Sequence, residues 1–300
     1  MAFKAKDKDI NFIIPPHGVT VTFHILSKCR NNCPFCFIND TYYKDTQNFD
    51  KLNIIDASIV IANDDDLIPL INNFVISGGE PFDDLDFTLE LAERLHNYYE
   101  GKKPIYINTQ LPEDDKIDFS QLSKLFKYVN GISISRHAAS EDEEEFSIKG
   151  VNDNMINFIA DKVLPIRINC VLIDKIDIAG VVKRWKDSNV TVSFRRDYNY
   201  TNTEDLHKID KTYLMECLYH AGFTGYIQVD SCNICDTKRL IWKEPTTAKF
   251  YLHSGLRSTC LMHTFDGIDY FELHDVVVLP DGRLFDNWNI ESAHELCIRE

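Results

Sequence analysis

Between residues 19 and 198 the chain alternates short β-rich runs with longer segments of helical character, and this rhythm limits the fold more than any other feature. The runs are "VTVTFHIL" (19–26), "FVISGG" (74–79), "PIYINTQ" (104–110), "GISISRH" (131–137), "PIRINCVLI" (165–173) and "VTVSFRRDY" (190–198). Between them lie stretches such as "FDDLDFTLELAERLHNYYE", where Leu85, Phe87, Leu89, Leu91 and Leu95 partly follow a helical stripe, and "FSQLSKLFKYV". Six strands with five intervening helices require parallel strands joined by right-handed crossovers. An open or partial barrel of βα units fits, as does a doubly wound sheet. Strands covered by helices in this way are expected to read as nearly continuous apolar runs.

After Tyr198 the rhythm stops. A polar stretch and one helix-like segment lead into hairpin patterns, "AKFYLHSG", "YFELHDVVVL", the turn "PDG" and "RLFDNW". The expected organisation is therefore an N-terminal extension (1–18), a βα core (19–200) and a small C-terminal α+β domain (201–300). With 300 residues, the chain is long enough for one large domain and a small appendage.

Lys and Arg total 32 against 47 Asp and Glu, a formal net charge of −15, which disfavours naked nucleic acid as a partner. The acidic runs "NDDDL" (63–67) and "SEDEEEF" (140–146) read as solvated loops or helix starts. The N-terminal stretch shows neither a signal-peptide core nor a cleavage site, and no apolar run approaches the ~20 residues that span a bilayer, so no membrane partner is expected. Nine unevenly spread cysteines then favour thiols and metal ligands in a reducing cytoplasm over a disulfide framework.

Three of those cysteines, Cys29, Cys33 and Cys36, crowd the loop that leaves the first strand, in "HILSKCRNNCPFCFIND". A structural zinc site wants four ligands, usually from two separated knuckles, so closed zinc fits poorly. Three thiolates on an iron–sulfur cluster leave one iron with an open position, which can bind substrate or cofactor as well as pass an electron. Ordinary thiols are the alternative. A second feature, "FVISGGEPF" (74–82), runs a strand into Gly78, Gly79, Glu80 and Pro81. The glycines let backbone groups approach a ligand, the carboxylate can accept from an ammonium, and the proline stiffens the exit.

With C-x3-C-x2-C after the first strand and G-G-E-P after the second, the chain resembles the radical S-adenosylmethionine (SAM) superfamily over roughly residues 19–198. The resemblance implies a partial (β/α)6 TIM-like barrel and a 4Fe-4S cluster held by Cys29, Cys33 and Cys36, with SAM on the fourth iron. It further implies Phe35 against the adenine, and Gly78, Gly79 and Glu80 around the methionyl ammonium. Thr109 and Ser135 match polar strand-end positions that contact ribose or carboxylate in relatives such as the molybdopterin-precursor cyclase. Arg167 and Asn169 match the fifth-strand position of that enzyme whose cation meets the SAM carboxylate. The implied chemistry is reductive cleavage of SAM to a 5′-deoxyadenosyl radical, fed by a flavodoxin or ferredoxin, and hydrogen abstraction from a peptide or small molecule. At the sixth strand Arg195 and Arg196 must point to opposite faces, and Arg195 is the candidate for contact with substrate. His137 reads as a satisfied structural histidine, and Trp242 and Trp288 as core.

The C-terminal third carries Cys232 and Cys235 in one C-x2-C knuckle, then Cys260 and His263 one hairpin later, a three-cysteine, one-histidine set with zinc spacing. The rival is an auxiliary cluster resembling the twitch or SPASM extensions, with Cys297 as a distant further ligand; a third reading is no metal at all. Two other functions compete with the main reading: a nucleobase-modifying enzyme similar to 7-carboxy-7-deazaguanine synthase, and a non-catalytic iron–sulfur or zinc module. The complete βα series and its G-G-E-P turn argue against the module.

Overall fold

The computed structural model describes residues 3–6, 10–26, 29, 33, 35–36, 50–111, 118–144, 152–173, 176–196, 211–229, 237–253, 259–288 and 293–298. The six strands of the βα series form as β3 (Val19–His24), β4 (Ile71–Ser77), β5 (Ile105–Thr109), β6 (Gly131–Ser135), β7 (Ile166–Leu172) and β8 (Val190–Arg196), each parallel to the next. Five helices fill the crossovers: α1 (Lys51–Ala62), α2 (Leu85–Tyr98), α3 (Phe119–Leu125), α4 (Asp153–Lys162) and α5 (Ile178–Trp185).

Every one of these helices is started by an acidic or amide side chain. Asp50, Asp84, Asp118, Asn152 and Asp177 accept hydrogen bonds from the backbone N–H groups of Leu52, Phe87, Ser120 with Gln121, Met155 and Gly180. Such a cap satisfies N–H groups that have no partner inside the helix, and losing one costs about 1 kcal/mol. Part of the acidic excess thus has a structural use at the ends of the crossovers.

The strands are not uniformly apolar. Phe23, Phe74, Ile76, Ile107, Ile134, Ile168, Val192 and Phe194 alternate with Thr20, Thr22, Asn73, Asn108, Ser133, Asn169, Thr191 and Ser193. The first set shares one buried core with Ile54 and Ile61 of α1, Leu91 of α2, Ile159 of α4 and Trp185 of α5. Only one face is therefore covered by helices, and the other lines the concave side of a partial barrel. That alternation corrects the expectation of continuous apolar runs and decides against a doubly wound sheet, whose strands are apolar on both faces.

Among the described residues the strands outside the series complete one sheet of 16. At one edge β14 (Asp275–Val278) pairs in parallel with β3 and turns into β15 (Leu284–Phe285), followed by β16 (Glu295–Ile298), β1 (Phe3–Ala5), β2 (Ile10–Ile13), β13 (Ile268–Glu272) and β12 (Cys260–Phe265). At the other, β11 (Lys249–His253) lies parallel to β8 and is followed by β10 (Thr237–Trp242) and β9 (Phe223–Gln228), with α6 (Lys211–Ala221) just before β9. Segments from both chain ends thus extend the sheet on the β14 side of the strand that leads into the cysteine loop. No helix among the described residues is long and apolar enough to cross a membrane.

Candidate functional site

The site lies where β3 to β8 end. Cys29, Cys33 and Cys36 follow β3, and the Cys36 N–H donates to the Cys33 carbonyl at 3.0 Å, closing a turn around Phe35. Cys33 is 6% exposed. Burial, and then the charges of Cys36 and Cys29, push its thiol up to about 12. A thiol pushed up in this way needs a cation to make it a thiolate. Among the described residues no set of three His, Cys, Asp or Glu converges to hold a single metal ion. A cubane makes a different demand, since each thiolate binds its own iron and the three need not meet at one point. The donor set therefore suits an iron–sulfur cluster better than zinc.

The Gly-Gly-Glu turn sits directly against this loop's entry. Gly78 has φ +87°, and a Cβ there would lie 2.8 Å from the Cα of His24, the last residue of β3. Only glycine lets the turn approach so closely. Glu80 is 1% exposed, and its carboxylate accepts from the Phe82 N–H at 3.0 Å, the Gln110 N–H at 2.7 Å and the Thr109 hydroxyl. Burial raises its pKa, against the pull of those three donors. Thr109 is committed as well, because its hydroxyl donates to Glu80 and accepts from the Leu111 N–H at 2.9 Å. Glu80 and Thr109 are thus brought together as a clamp between the ends of β4 and β5. Pro81 is held from outside by the Thr88 hydroxyl at 2.6 Å.

The ends of β6, β7 and β8 differ. Ser135, Asn169 and Ser193 form one row across these strands on the concave face. Arg167 lies two residues before Asn169 on the same face and is exposed. Arg195 continues that face opposite Val171, and Arg196 falls on the other. Gln110 Oε1, His137 Nε2, Asn169 Oδ1 and Ser193 Oγ are buried without a hydrogen-bond partner among the described residues. Polar atoms left so are costly, and several at one barrel mouth mark where a polar ligand completes the site.

A buried ion-pair network supports this side. The guanidinium of Arg184 binds Asp153 through Nε and Nη2, each at 2.8 Å, and Glu144 through Nη1 at 2.6 Å. Glu144 in turn receives the His137 N–H at 3.0 Å and the Ala138 N–H at 3.2 Å. The run containing Glu144 was expected to be solvated, but its side chain is 7% exposed, because Arg184 of α5 neutralises it. Sequence reading missed this pair; forty residues separate its members, and only the placement of α5 against the β6 loop joins them. Gln110 and Ser193 were missed too, although each lies in phase with the concave face of its strand.

At the β3 edge His24 is buried, its pKa lowered by that burial to about 3, and its ring lies 4.9 Å from that of Trp288. Trp288 packs partly on Val277, Leu279 and Phe285, while Trp242 lies 5.1 Å from Phe223 in the main core. Cys232 and Cys235 lie outside the described residues, as do the side chains of Cys260 and His263 on β12. Cys297 sits on β16, its sulfur 3.5 Å from the Lys4 carbonyl oxygen.

Residues 24–162 match the family model of the Radical SAM superfamily. No curated protein matches the chain. Among solved structures, SuiB of Streptococcus suis bound to the precursor peptide SuiA aligns with TM-score 0.56 and 13% identity, over 91% of this chain and 60% of that one. The chain thus spans about 60% of the length of SuiB. The protein anSMEcpe with bound AdoMet aligns with TM-score 0.50 and 15% identity, over 90% of this chain and 74% of the other. At these identities the likeness is one of fold.

Proposed function

We propose that this chain is a radical SAM enzyme, as the family match over residues 24–162 supports, and that its barrel mouth seats SAM beside a 4Fe-4S cluster and directs hydrogen abstraction at a peptide. The observation that carries the reading is the set of buried polar atoms at the ends of β5 to β8 without a partner among the described residues, on the same side as the three-cysteine loop. When bound, the cluster and SAM supply one-electron cleavage of a sulfonium bond and a carbon radical able to take hydrogen from an unactivated C–H.

The protein's own part is to hold and to shield. Cys29, Cys33 and Cys36 would ligate three irons. Backbone groups of Gly78 and Gly79 would meet the ammonium, with Glu80 and Thr109 fixing the turn that presents them. Ser135, Asn169 and Ser193 would bind ribose or carboxylate, and Phe35 would lie on the adenine. Arg167 and Arg195 share the concave face, where a substrate carboxylate would find them. The rigid β-strand platform supplies orientation, and the buried rim keeps water from the reacting carbon.

The fold likeness to SuiB, seen with a peptide, supports a peptide over a small metabolite. A flavodoxin or ferredoxin would deliver the electron. The test is anaerobic incubation of the reduced, cluster-loaded protein with SAM and site-deuterated candidate peptides. We expect 5′-deoxyadenosine, more of it with peptide present, and deuterium within it. A loaded protein that forms 5′-deoxyadenosine but draws deuterium only from a small molecule would overturn the peptide reading, and one that forms none would overturn the enzyme.

A further inference from the structure

The hydrogen-bonding state of His137 is fixed by its surroundings. It follows β6, is 4% exposed, and its Nδ1 accepts the Val171 N–H at 3.0 Å. An amide N–H can only donate, so Nδ1 carries no proton and the neutral ring keeps its hydrogen on Nε2. That Nε2 is buried with no partner among the described residues. The ring is held in place from three sides: by Val171, by the Glu144 carboxylate on the backbone N–H at 3.0 Å, and by Phe35, whose centroid stands 4.8 Å away in an edge-to-face pairing. A donor this well positioned and left unmatched lacks only its acceptor.

Four parts of the nucleoside cofactor compete for this donor. An ammonium has no lone pair to offer. A carboxylate would be repelled by the Glu144 carboxylate that holds the His137 backbone, and the ribose hydroxyls have the row of Ser135, Asn169 and Ser193 to meet them. A flat ring bearing lone-pair nitrogens can lie beside Phe35 and accept from the single N–H donor. We propose that His137 is a specificity-determining residue whose Nε2–H donates to a ring nitrogen of the cofactor's adenine, reading the base beside Phe35. This rests on the SAM-binding reading above and adds a residue to it.

The test uses the cluster-loaded full-length chain under anaerobic conditions, with binding of 5′-deoxyadenosine and its 1-deaza, 3-deaza and 7-deaza analogues followed by calorimetry rather than turnover. For the wild type, one deaza analogue should bind about tenfold more weakly, the cost of leaving one buried donor unmatched. His137→Phe should lose about the same factor for 5′-deoxyadenosine and discriminate none of the analogues, while His137→Gln, which retains a donor, should recover part of the affinity. If the wild type binds all analogues alike, the inference fails even should His137→Phe not fold. If the wild type binds SAM but His137→Phe holds 5′-deoxyadenosine unchanged, the inference fails and the SAM reading stands. Binding of neither SAM nor nucleoside by the wild type overturns both.

Discussion

The two halves of the barrel mouth handle buried polar groups in opposite ways. At the ends of β4 and β5, Glu80 receives three protein donors and Thr109 spends both its donor and an acceptor site, so the Gly-Gly-Glu turn is locked before any ligand arrives. At the ends of β6 to β8, the His137, Asn169 and Ser193 side chains bury polar atoms that find no partner among the described residues, although a buried network of Arg184, Glu144 and Asp153 stands behind them. One half is scaffold finished but for the Gln110 side chain, whose Oε1 also lacks a partner among the described residues. The other is scaffold one layer back and binding surface in front. A folded chain tolerates the second arrangement where the ligand repays the missing hydrogen bonds.

The largest effect separates both halves from the cluster loop. Cys33→Ala removes one whole iron ligand, and we expect loss of the cluster's iron and of all 5′-deoxyadenosine formation with the fold retained, checked by iron analysis, circular dichroism and chromatography. Retained turnover would break the assignment of the loop.

Next comes the support behind the open half. Arg184→Ala leaves Glu144 buried without its counter-charge, and breaking such a pair costs about 3–5 kcal/mol. Urea unfolding should show a loss of that order, because the side chain of Arg184 is only 3% exposed. A loss below about 1 kcal/mol would mean that the network is a surface feature.

A somewhat smaller effect appears with pH. Burial lowers the pKa of His137 from 6.5 to about 4. The unfolded chain then binds a proton that the folded chain refuses, so this contribution is complete above pH 6.5 and is lost as the pH falls towards 4. Its size is on the order of 3 kcal/mol. His137→Gln should flatten the stability profile across that window, and an unchanged slope would show that the ring is already hydrated.

The motifs and the rhythm of the chain made the strands of the candidate site legible. The run at 131–137 became β6 within its predicted span, and the cysteines and the Gly-Gly-Glu turn fell at adjacent strand ends. The division of labour between the halves was less visible. Thr109 shares the phase of Ile105 and Ile107, the face covered by helices, so its hydroxyl meets Glu80 and Gln110 falls at the mouth. That signal was present in the two-residue period. The Arg184–Glu144 pair and the parallel seat of β14 beside β3 were not legible, since each depends on how segments far apart in sequence pack.

The contrast itself is tested most directly by titrating SAM anaerobically into two cluster-loaded variants while following their thermal unfolding. Asn169→Ala should weaken SAM about tenfold with little change in Tm, because its Oδ1 lacks a protein partner among the described residues. Glu80→Gln should lower stability by about 1–3 kcal/mol, because it disturbs a carboxylate engaged by three donors. Its SAM affinity should fall less than that of Asn169→Ala. The reverse pattern, with Glu80→Gln stable but unable to bind SAM and Asn169→Ala unstable but binding normally, would contradict the account.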